Sequence, residues 1–224
     1  MLTGTGQVTE IHLDGSARID CAPGLIPGPG QYALAHAAGS DSPLSVPVFF
    51  YDSTPAGFHA APRLPAAWTP GTRLNLRGPL GHGFTLSPAA RKIALITLDG
   101  EAARLHPLIT RGLAFNAEIV MLTDTPAQNL PEAVEVQPTQ ALLEICQWAD
   151  FIAIDVTREN LDRLRQMLMG QEQIQATREA QILIRVPMPC GALADCGVCA
   201  LSVRQDWKMA CKDGPVFTLR DIFK

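Results

Sequence analysis

No run of about 18 consecutive apolar residues occurs in the 224-residue chain, so the sequence predicts no transmembrane helix. The first residues, MLTGTGQVTEIH, contain neither a basic segment nor an apolar one, so we predict no secretory signal peptide and expect a cytoplasmic protein. With 18 basic against 22 acidic residues, the chain has no excess of positive charge for binding nucleic acid. No Ser/His/Asp or Cys/His grouping suggests nucleophilic catalysis, so we predict no catalytic residue.

Cysteine is also scarce, and its distribution is uneven. The chain has six cysteines, of which four follow one another near the C-terminus with the spacing C-x5-C-x2-C-x11-C. Thiolates are soft, anionic ligands, and holding four of them in one short segment is costly without a cation. Cys21 and Cys146 lie outside this segment and are expected to be small core residues. The predicted metal ligands are Cys190, Cys196, Cys199 and Cys211.

The spacing of these cysteines favours one type of metal centre. A zinc ribbon usually supplies two C-x2-C pairs from two hairpins, but this segment has only one, Cys196–Cys199. Three ligands from a single loop with a distant fourth are typical of plant-type [2Fe–2S] sites. Gly191 and Gly197 adjoin ligands, where a backbone without a side chain can turn its N–H groups toward the sulfur atoms. We therefore predict a [2Fe–2S] cluster, with structural zinc, or buried or disulfide-bonded cysteines, as the alternatives.

Residues 1–88 have the pattern of β structure. Apolar runs flank the turn Asp14-Gly15, which predicts a hairpin, and glycine and proline punctuate several further short strands. The segment 72–77 alternates polar and apolar residues as a half-buried strand does. The pattern predicts a small, closed or partly closed antiparallel barrel.

From about residue 89 the pattern changes to short apolar strands that alternate with helical segments. Such alternation predicts βαβ units and a small parallel, Rossmann-like α/β domain over residues 89–186. Pro187-Met188-Pro189 then ends the sheet and leads into a cluster-binding segment, residues 187–224. We thus predict an α+β chain with two domains, a barrel followed by an α/β domain, and a C-terminal [2Fe–2S] loop.

Two stretches of the C-terminal segment carry a family resemblance. MPCGALADCGVC and MACKDGPVF resemble the cluster-binding tail of the electron-transfer subunit of class B, NAD-dependent dihydroorotate dehydrogenase, whose pattern is CGxGxCxGC followed by Cys-x-Asp-Gly-Pro-Val-Phe. This chain places five residues instead of four between the first two ligands, so the local geometry must differ. The resemblance covers nearly the whole chain, strongly at residues 68–84 and 190–217 and weakly elsewhere, as at residues 30–32. The resemblance implies a ferredoxin-reductase-like barrel and α/β domain.

The resemblance also implies two dinucleotide sites, and both are altered here. The family's Arg-Pro-x-Ser segment, which holds FAD, is Val46-Pro47-Val48-Phe49 in this chain, so its charge and its hydroxyl are both lost. If FAD binds, the implied contacts include Pro47, Gly78 and Gly83. The glycine-rich turn for the nicotinamide dinucleotide corresponds to residues 98–107, which retain Gly100 but carry acidic residues beside it. The sequence leaves FAD open and predicts no NAD(P) site.

Three functions follow from these residues. In the first, the chain is an iron–sulfur electron-transfer subunit with degenerate dinucleotide sites. By resemblance, its redox partner would be a flavin-containing dihydroorotate dehydrogenase-like catalytic subunit of pyrimidine biosynthesis. In the second, FAD binds in an altered mode and the chain is a reductase subunit. In the third, the cysteines hold zinc in a non-redox interaction subunit.

Overall fold

The computed structural model describes residues 2–126, 130–169, 179–203 and 206–223. A closed six-stranded antiparallel barrel comes first, with strand order β1-β2-β5-β4-β3-β6. Its strands are β1 (Leu2–Ile11), β2 (Ala17–Cys21), β3 (Tyr32–Ala37), β4 (Val46–Thr54), β5 (Gly57–Ala60) and β6 (Arg73–Leu80). The predicted barrel and its Asp14-Gly15 hairpin are therefore confirmed.

Alternation along the barrel strands separates two apolar faces. On β4, Val48 and Phe50 point into the barrel, whereas Phe49 and Tyr51 point outward and join the core of the α/β domain. Burial on both faces explains why the stretch 46–51 is almost continuously apolar instead of alternating. The outer face of the barrel is thus part of the domain interface.

The second sheet has six strands in the order β14-β11-β10-β7-β8-β9. Its parallel strands are β7 (Lys92–Thr97), β8 (Glu118–Leu122), β9 (Val134–Gln137), β10 (Phe151–Thr157) and β11 (Glu179–Arg185). Helices α1 (His106–Ala114), α2 (Leu142–Trp148) and α3 (Leu161–Met167) belong to the crossover connections. The predicted parallel α/β domain is confirmed.

Some elements are not evident from the sequence pattern. Helix α1 begins only at His106, because residues 103–105 form a turn that precedes Pro107. Strand β9 is too short and polar to have been recognised. The region 52–67, which is rich in proline and alanine, contains β5, which pairs with β2 and β4 and closes the barrel.

The C-terminal segment forms its own small structure and then returns to the second sheet. Strands β12 (Ala200–Val203) and β13 (Asp206–Met209) form an antiparallel hairpin, followed by the short helix α4 (Ala210–Asp213). Strand β14 (Val216–Thr218) then pairs antiparallel with β11, and helix α5 (Leu219–Phe223) ends the described chain. Within the described part of the chain, no helix is both long enough and apolar enough to cross a membrane.

Candidate metal centre

The β12–β13 hairpin positions two of the predicted ligands. Cys199 immediately precedes β12, and Cys211 follows β13 in α4. Since Ala200 pairs with Met209, these two cysteines meet at the open end of the hairpin, with their Sγ atoms 3.2 Å apart. Both side chains are buried, and all four predicted ligands are free thiols.

The loop before the hairpin carries the other two ligands and folds around Cys190. The backbone N–H groups of Leu193, Asp195 and Cys196 and the Cys196 thiol donate to the sulfur of Cys190. Burial alone would raise the pKa of the Cys190 thiol, but these donors prevail and lower it to about 6. A stabilised thiolate is the protonation state that a metal requires.

The pKa of Cys211, which forms the buried pair with Cys199, is shifted in the opposite direction from the pKa of Cys190. Burial raises the pKa of Cys211 to about 12, and the neighbouring Cys199 thiol adds to this, while the N–H of Ala194 acts in the opposite direction. The contact from Ala194 also links the loop to α4. A buried thiol whose pKa is raised in this way stays protonated at neutral pH unless a cation compensates the charge of its thiolate.

The four cysteines thus lie as an outer pair, Cys190 with Cys196, and an inner pair, Cys199 with Cys211. Over residues 2–126, 130–169, 179–203 and 206–223, no three His, Cys, Asp or Glu side chains surround a common point suited to a single metal ion. A dinuclear cluster takes four cysteine thiolates as two pairs, whereas a zinc ion needs its four ligands around one point. Four cysteine sulfurs are soft donors that could hold an iron–sulfur cluster or a zinc ion.

Contacts from the barrel hold this segment in place. The Tyr32 hydroxyl donates to the carbonyl oxygen of Cys211 at 3.2 Å, and the Arg77 guanidinium donates to the carbonyl oxygen of Gly191. His82 donates its backbone N–H to Gly214 at 2.6 Å, and its own carbonyl accepts from Val216 at 3.3 Å. The two stretches with the strongest family resemblance, 78–84 and 211–217, therefore touch each other.

Sequence reasoning missed Tyr32 and Arg77 as supports of the cluster segment. Both occupy strands that the sequence predicted, and Tyr32 lies in one of the stretches that resemble the family. The sequence pattern of a barrel strand shows which side chains point outward. It does not show which distant segment those side chains contact. Trp207, which lies in β13 between the third and fourth predicted ligands, is 64% exposed.

The three residues implied for FAD, Pro47, Gly78 and Gly83, lie next to other residues of the barrel. Pro47 lies in β4 opposite Leu34. A Cβ at Gly83 would lie 2.4 Å from the carbonyl oxygen of Pro29, and one at Gly78 would lie 3.1 Å from the Cβ of Ala33. Close backbone packing therefore accounts for both glycines without a ligand.

Comparison with known proteins gives one result for the cluster segment and another for the fold. Residues 187–223 match the family model for the iron–sulfur cluster binding domain of dihydroorotate dehydrogenase B. No curated protein matches the sequence significantly.

Solved structures resemble 80% or more of this chain in fold. An NADH-dependent reduced ferredoxin–NADP oxidoreductase, described for flavin-based electron bifurcation, superposes with a TM-score of 0.74 at 16% identity, covering 97% of this chain and 89% of that one. An FAD-free form of the ferredoxin reductase in carbazole 1,9a-dioxygenase gives 0.59 at 18% identity, covering 80% and 65% of the two chains. The ferredoxin–NADP+ reductase from Plasmodium falciparum gives 0.56 at 8% identity, covering 80% and 95%. The predicted resemblance is confirmed: the chain carries a segment of the iron–sulfur cluster binding type found in dihydroorotate dehydrogenase B on a ferredoxin-reductase-like fold.

Proposed function

We propose that the chain is an iron–sulfur electron-transfer subunit whose ligands are Cys190, Cys196, Cys199 and Cys211. The observation that carries this proposal is the arrangement of the four thiols as two pairs inside a segment that matches an iron–sulfur binding family. When bound, a [2Fe–2S] cluster supplies one-electron transfer. The protein's own contribution is to hold the inner pair buried, donate N–H groups to the sulfur of Cys190 and fix the loop against the barrel.

The redox partner in this proposal is a flavin-containing catalytic subunit like that of dihydroorotate dehydrogenase, and the pathway is pyrimidine biosynthesis. The family match at residues 187–223 supports this choice. Cys196 is exposed, and three apolar side chains around the cluster segment are exposed as well: Leu193, Val198 and Trp207. An exposed ligand with an apolar rim offers a partner close approach to the cluster.

The dinucleotide sites of the fold are degenerate in this proposal. A flavin pyrophosphate would meet Val46 where the family has arginine, and a nicotinamide dinucleotide would meet Asp99 and Glu101 beside Gly100. Negative side chains at the site of a phosphate oppose binding electrostatically. The neighbouring structures give the fold but no cofactor of this chain, and no contact in the described residues favours a full reductase.

Anaerobic purification tests the metal centre directly. We expect a reddish-brown protein with about two iron and two sulfide per chain, as a [2Fe–2S] cluster requires. Replacing each predicted ligand by serine should lower iron content at least severalfold. Cys146→Ser is the matched control, because Cys146 is a buried thiol on α2, outside the cluster segment, and burial raises its pKa to about 12. Zinc without iron, even after anaerobic reconstitution, would overturn the proposal.

A further inference from the structure

The carboxyl ends of the parallel strands are where open α/β sheets bind their ligands. In this chain that edge carries Asp99 after β7, Asp155 in β10 and Arg185 at the end of β11. Arg185 donates from Nε to Asp155 at 2.7 Å and from Nη2 to Asp99 at 2.6 Å. These carboxylates raise the pKa of Arg185 against the opposing effect of its burial. The cation at this edge is thus already paired inside the protein.

A second arginine reaches from the same edge to the barrel. Arg104 is only 6% exposed, and its Nη1 donates to Glu101 at 2.8 Å and lies 3.5 Å from Asp155. Its Nη2 donates to the carbonyl oxygen of Pro62. The guanidinium carbon lies 5.5 Å from the centre of the Phe49 ring, which is cation–π geometry. Arg104 therefore spans the space between the α/β domain and the outer face of β4.

Two buried aromatic residues, Phe49 and Tyr32, occupy the space between Arg104 and the cluster segment. Phe49 stands where the resembled family has the serine that faces the flavin ring. Phe49 pairs across the strands with Tyr32, their ring centres are 5.7 Å apart, and both side chains are buried. Since Tyr32 donates to the Cys211 carbonyl, side chains occupy a continuous path from the sheet edge to the predicted cluster.

The space directly beside Arg104 is small. A cavity of about 260 Å³ lies between the barrel and the loop before α1, with Tyr51, Pro62 and His106 among its lining residues. Pockets for drug-sized ligands usually measure about 300–1,000 Å³. Asp14 and Glu101 also line this cavity, and the Glu101 carboxylate is already paired with Arg104 at 2.8 Å and with Arg63 at 2.9 Å. The space beside Arg104 therefore does not fit FAD.

We propose that Arg104 is an internal occupant of the dinucleotide position, held by Glu101 and Asp155 and stacked on Phe49. This arrangement closes the cleft that a flavin ring and a nicotinamide would share. The inference deepens the proposed function, which it takes as its context, because a relay without its own dinucleotide depends on protein partners. The inference about Arg104 depends only on contacts at the domain interface. These contacts do not require that the cluster forms.

Binding measurements on the cluster-loaded protein test the wild-type cleft. Titration with FAD, followed by flavin fluorescence, and with NADH, followed by its own fluorescence, should show no saturation up to about 1 mM, which limits binding to weaker than about −4 kcal/mol. Saturable binding of either dinucleotide below that concentration would overturn the proposal. Iron and sulfide assays on the same samples report on the cluster separately, so failure of the proposed function is distinguishable.

A double variant, Arg104→Ala with Phe49→Ser, tests the role of Arg104. Removing the guanidinium and the ring opens the cleft, so FAD affinity should rise at least tenfold. Arg63→Ala is the matched control, because Arg63 pairs with the same Glu101 at 2.9 Å but its side chain is 86% exposed, and its loss should leave affinity unchanged.

Folding of the double variant is checked by circular dichroism and by its melting profile. A folded double variant with unchanged FAD affinity would show that Arg104 is not the occupant. If the double variant does not fold, Arg104→Gln gives the same comparison, since glutamine keeps a polar side chain but is shorter and lacks the guanidinium group. A folded Arg104→Gln protein that gains no affinity would equally contradict the proposal.

Discussion

At the residue scale, the cluster loop depends on left-handed backbone conformations. Gly191, Ala192, Ala194 and Gly197 have φ values of 67°, 61°, 64° and 70°. Two of these residues are alanines, and a residue with a Cβ loses about 1–2 kcal/mol in this conformation. The N–H of Ala194 donates to Cys211, so the strained backbone serves the contact that joins the loop to the inner pair.

Gly197→Ala tests whether this loop conformation retains the cluster. The glycine has φ +70°, and an added Cβ would meet no atom within 4 Å, so the substitution should cost about 1 kcal/mol through the backbone alone. Gly39→Ala is the matched control, with φ +78° and equally open surroundings in the barrel. Denaturant unfolding should show similar losses for both variants, while iron assays should show faster iron loss only for Gly197→Ala. Equal iron retention would contradict the expectation.

Much of the site at this scale was predictable from the sequence. Cysteine spacing is a local property, and it identified the segment whose thiols lie in two pairs. Arg104 and Asp155 were not recognised as partners, because they are 51 positions apart and each stands alone in its own element. A charged residue next to an apolar strand gives no sign of whether it faces solvent or a counter-charge on another element.

At the element scale, β5 is a strand that the sequence pattern does not predict. The four residues Gly57–Ala60 include a glycine and a histidine and lie in a region rich in proline and alanine. Their strand character comes from pairing with β2 on one side and β4 on the other. Tertiary context supplies the strand, and barrel closure removes two sheet edges at once.

Gly57→Ala tests how tightly β5 must approach β2. A Cβ at this position would lie 2.0 Å from the carbonyl oxygen of Ile19, so the backbone of one strand must move. We expect a loss of about 2–3 kcal/mol in the free energy of unfolding, as for other overpacked positions. Gly71→Ala, at φ +95° with open surroundings, should lose only about 1 kcal/mol. Equal losses in denaturant unfolding would show that β2 and β5 tolerate separation.

At the scale of the whole molecule, one apolar core joins the barrel to the α/β domain. Tyr32, Phe49 and Tyr51 from the outer face of the barrel belong to the same buried cluster as the strands of the second sheet. The barrel interior, which includes Val48 and Phe50, forms a separate cluster. Because the outer cluster is shared, unfolding one domain exposes apolar surface of the other.

We therefore expect a single cooperative unfolding transition in the wild-type chain. Fluorescence of the buried Trp68, with Trp148 and Trp207 replaced by phenylalanine, reports on the barrel, and far-ultraviolet circular dichroism reports on the helices. The two transitions should coincide, which is the standard test of two-state behaviour. If the fluorescence and dichroism transitions do not coincide in this protein, whose domain interface is unchanged, the domains unfold independently.

Phe49→Ala and Phe50→Ala then distinguish the interface from the barrel interior. Both remove a buried ring, with 7% and 8% exposure, so each should lower the free energy of unfolding by about 3–5 kcal/mol. Phe49→Ala removes the contact with Arg104 and with the shared core, so its fluorescence and dichroism transitions should separate. Phe50→Ala weakens the barrel from inside and leaves the interface intact, so its two transitions should still coincide. Coincident transitions in both variants would mean that the domains are joined chiefly by the cluster segment and β14, through the contacts of Tyr32 and His82.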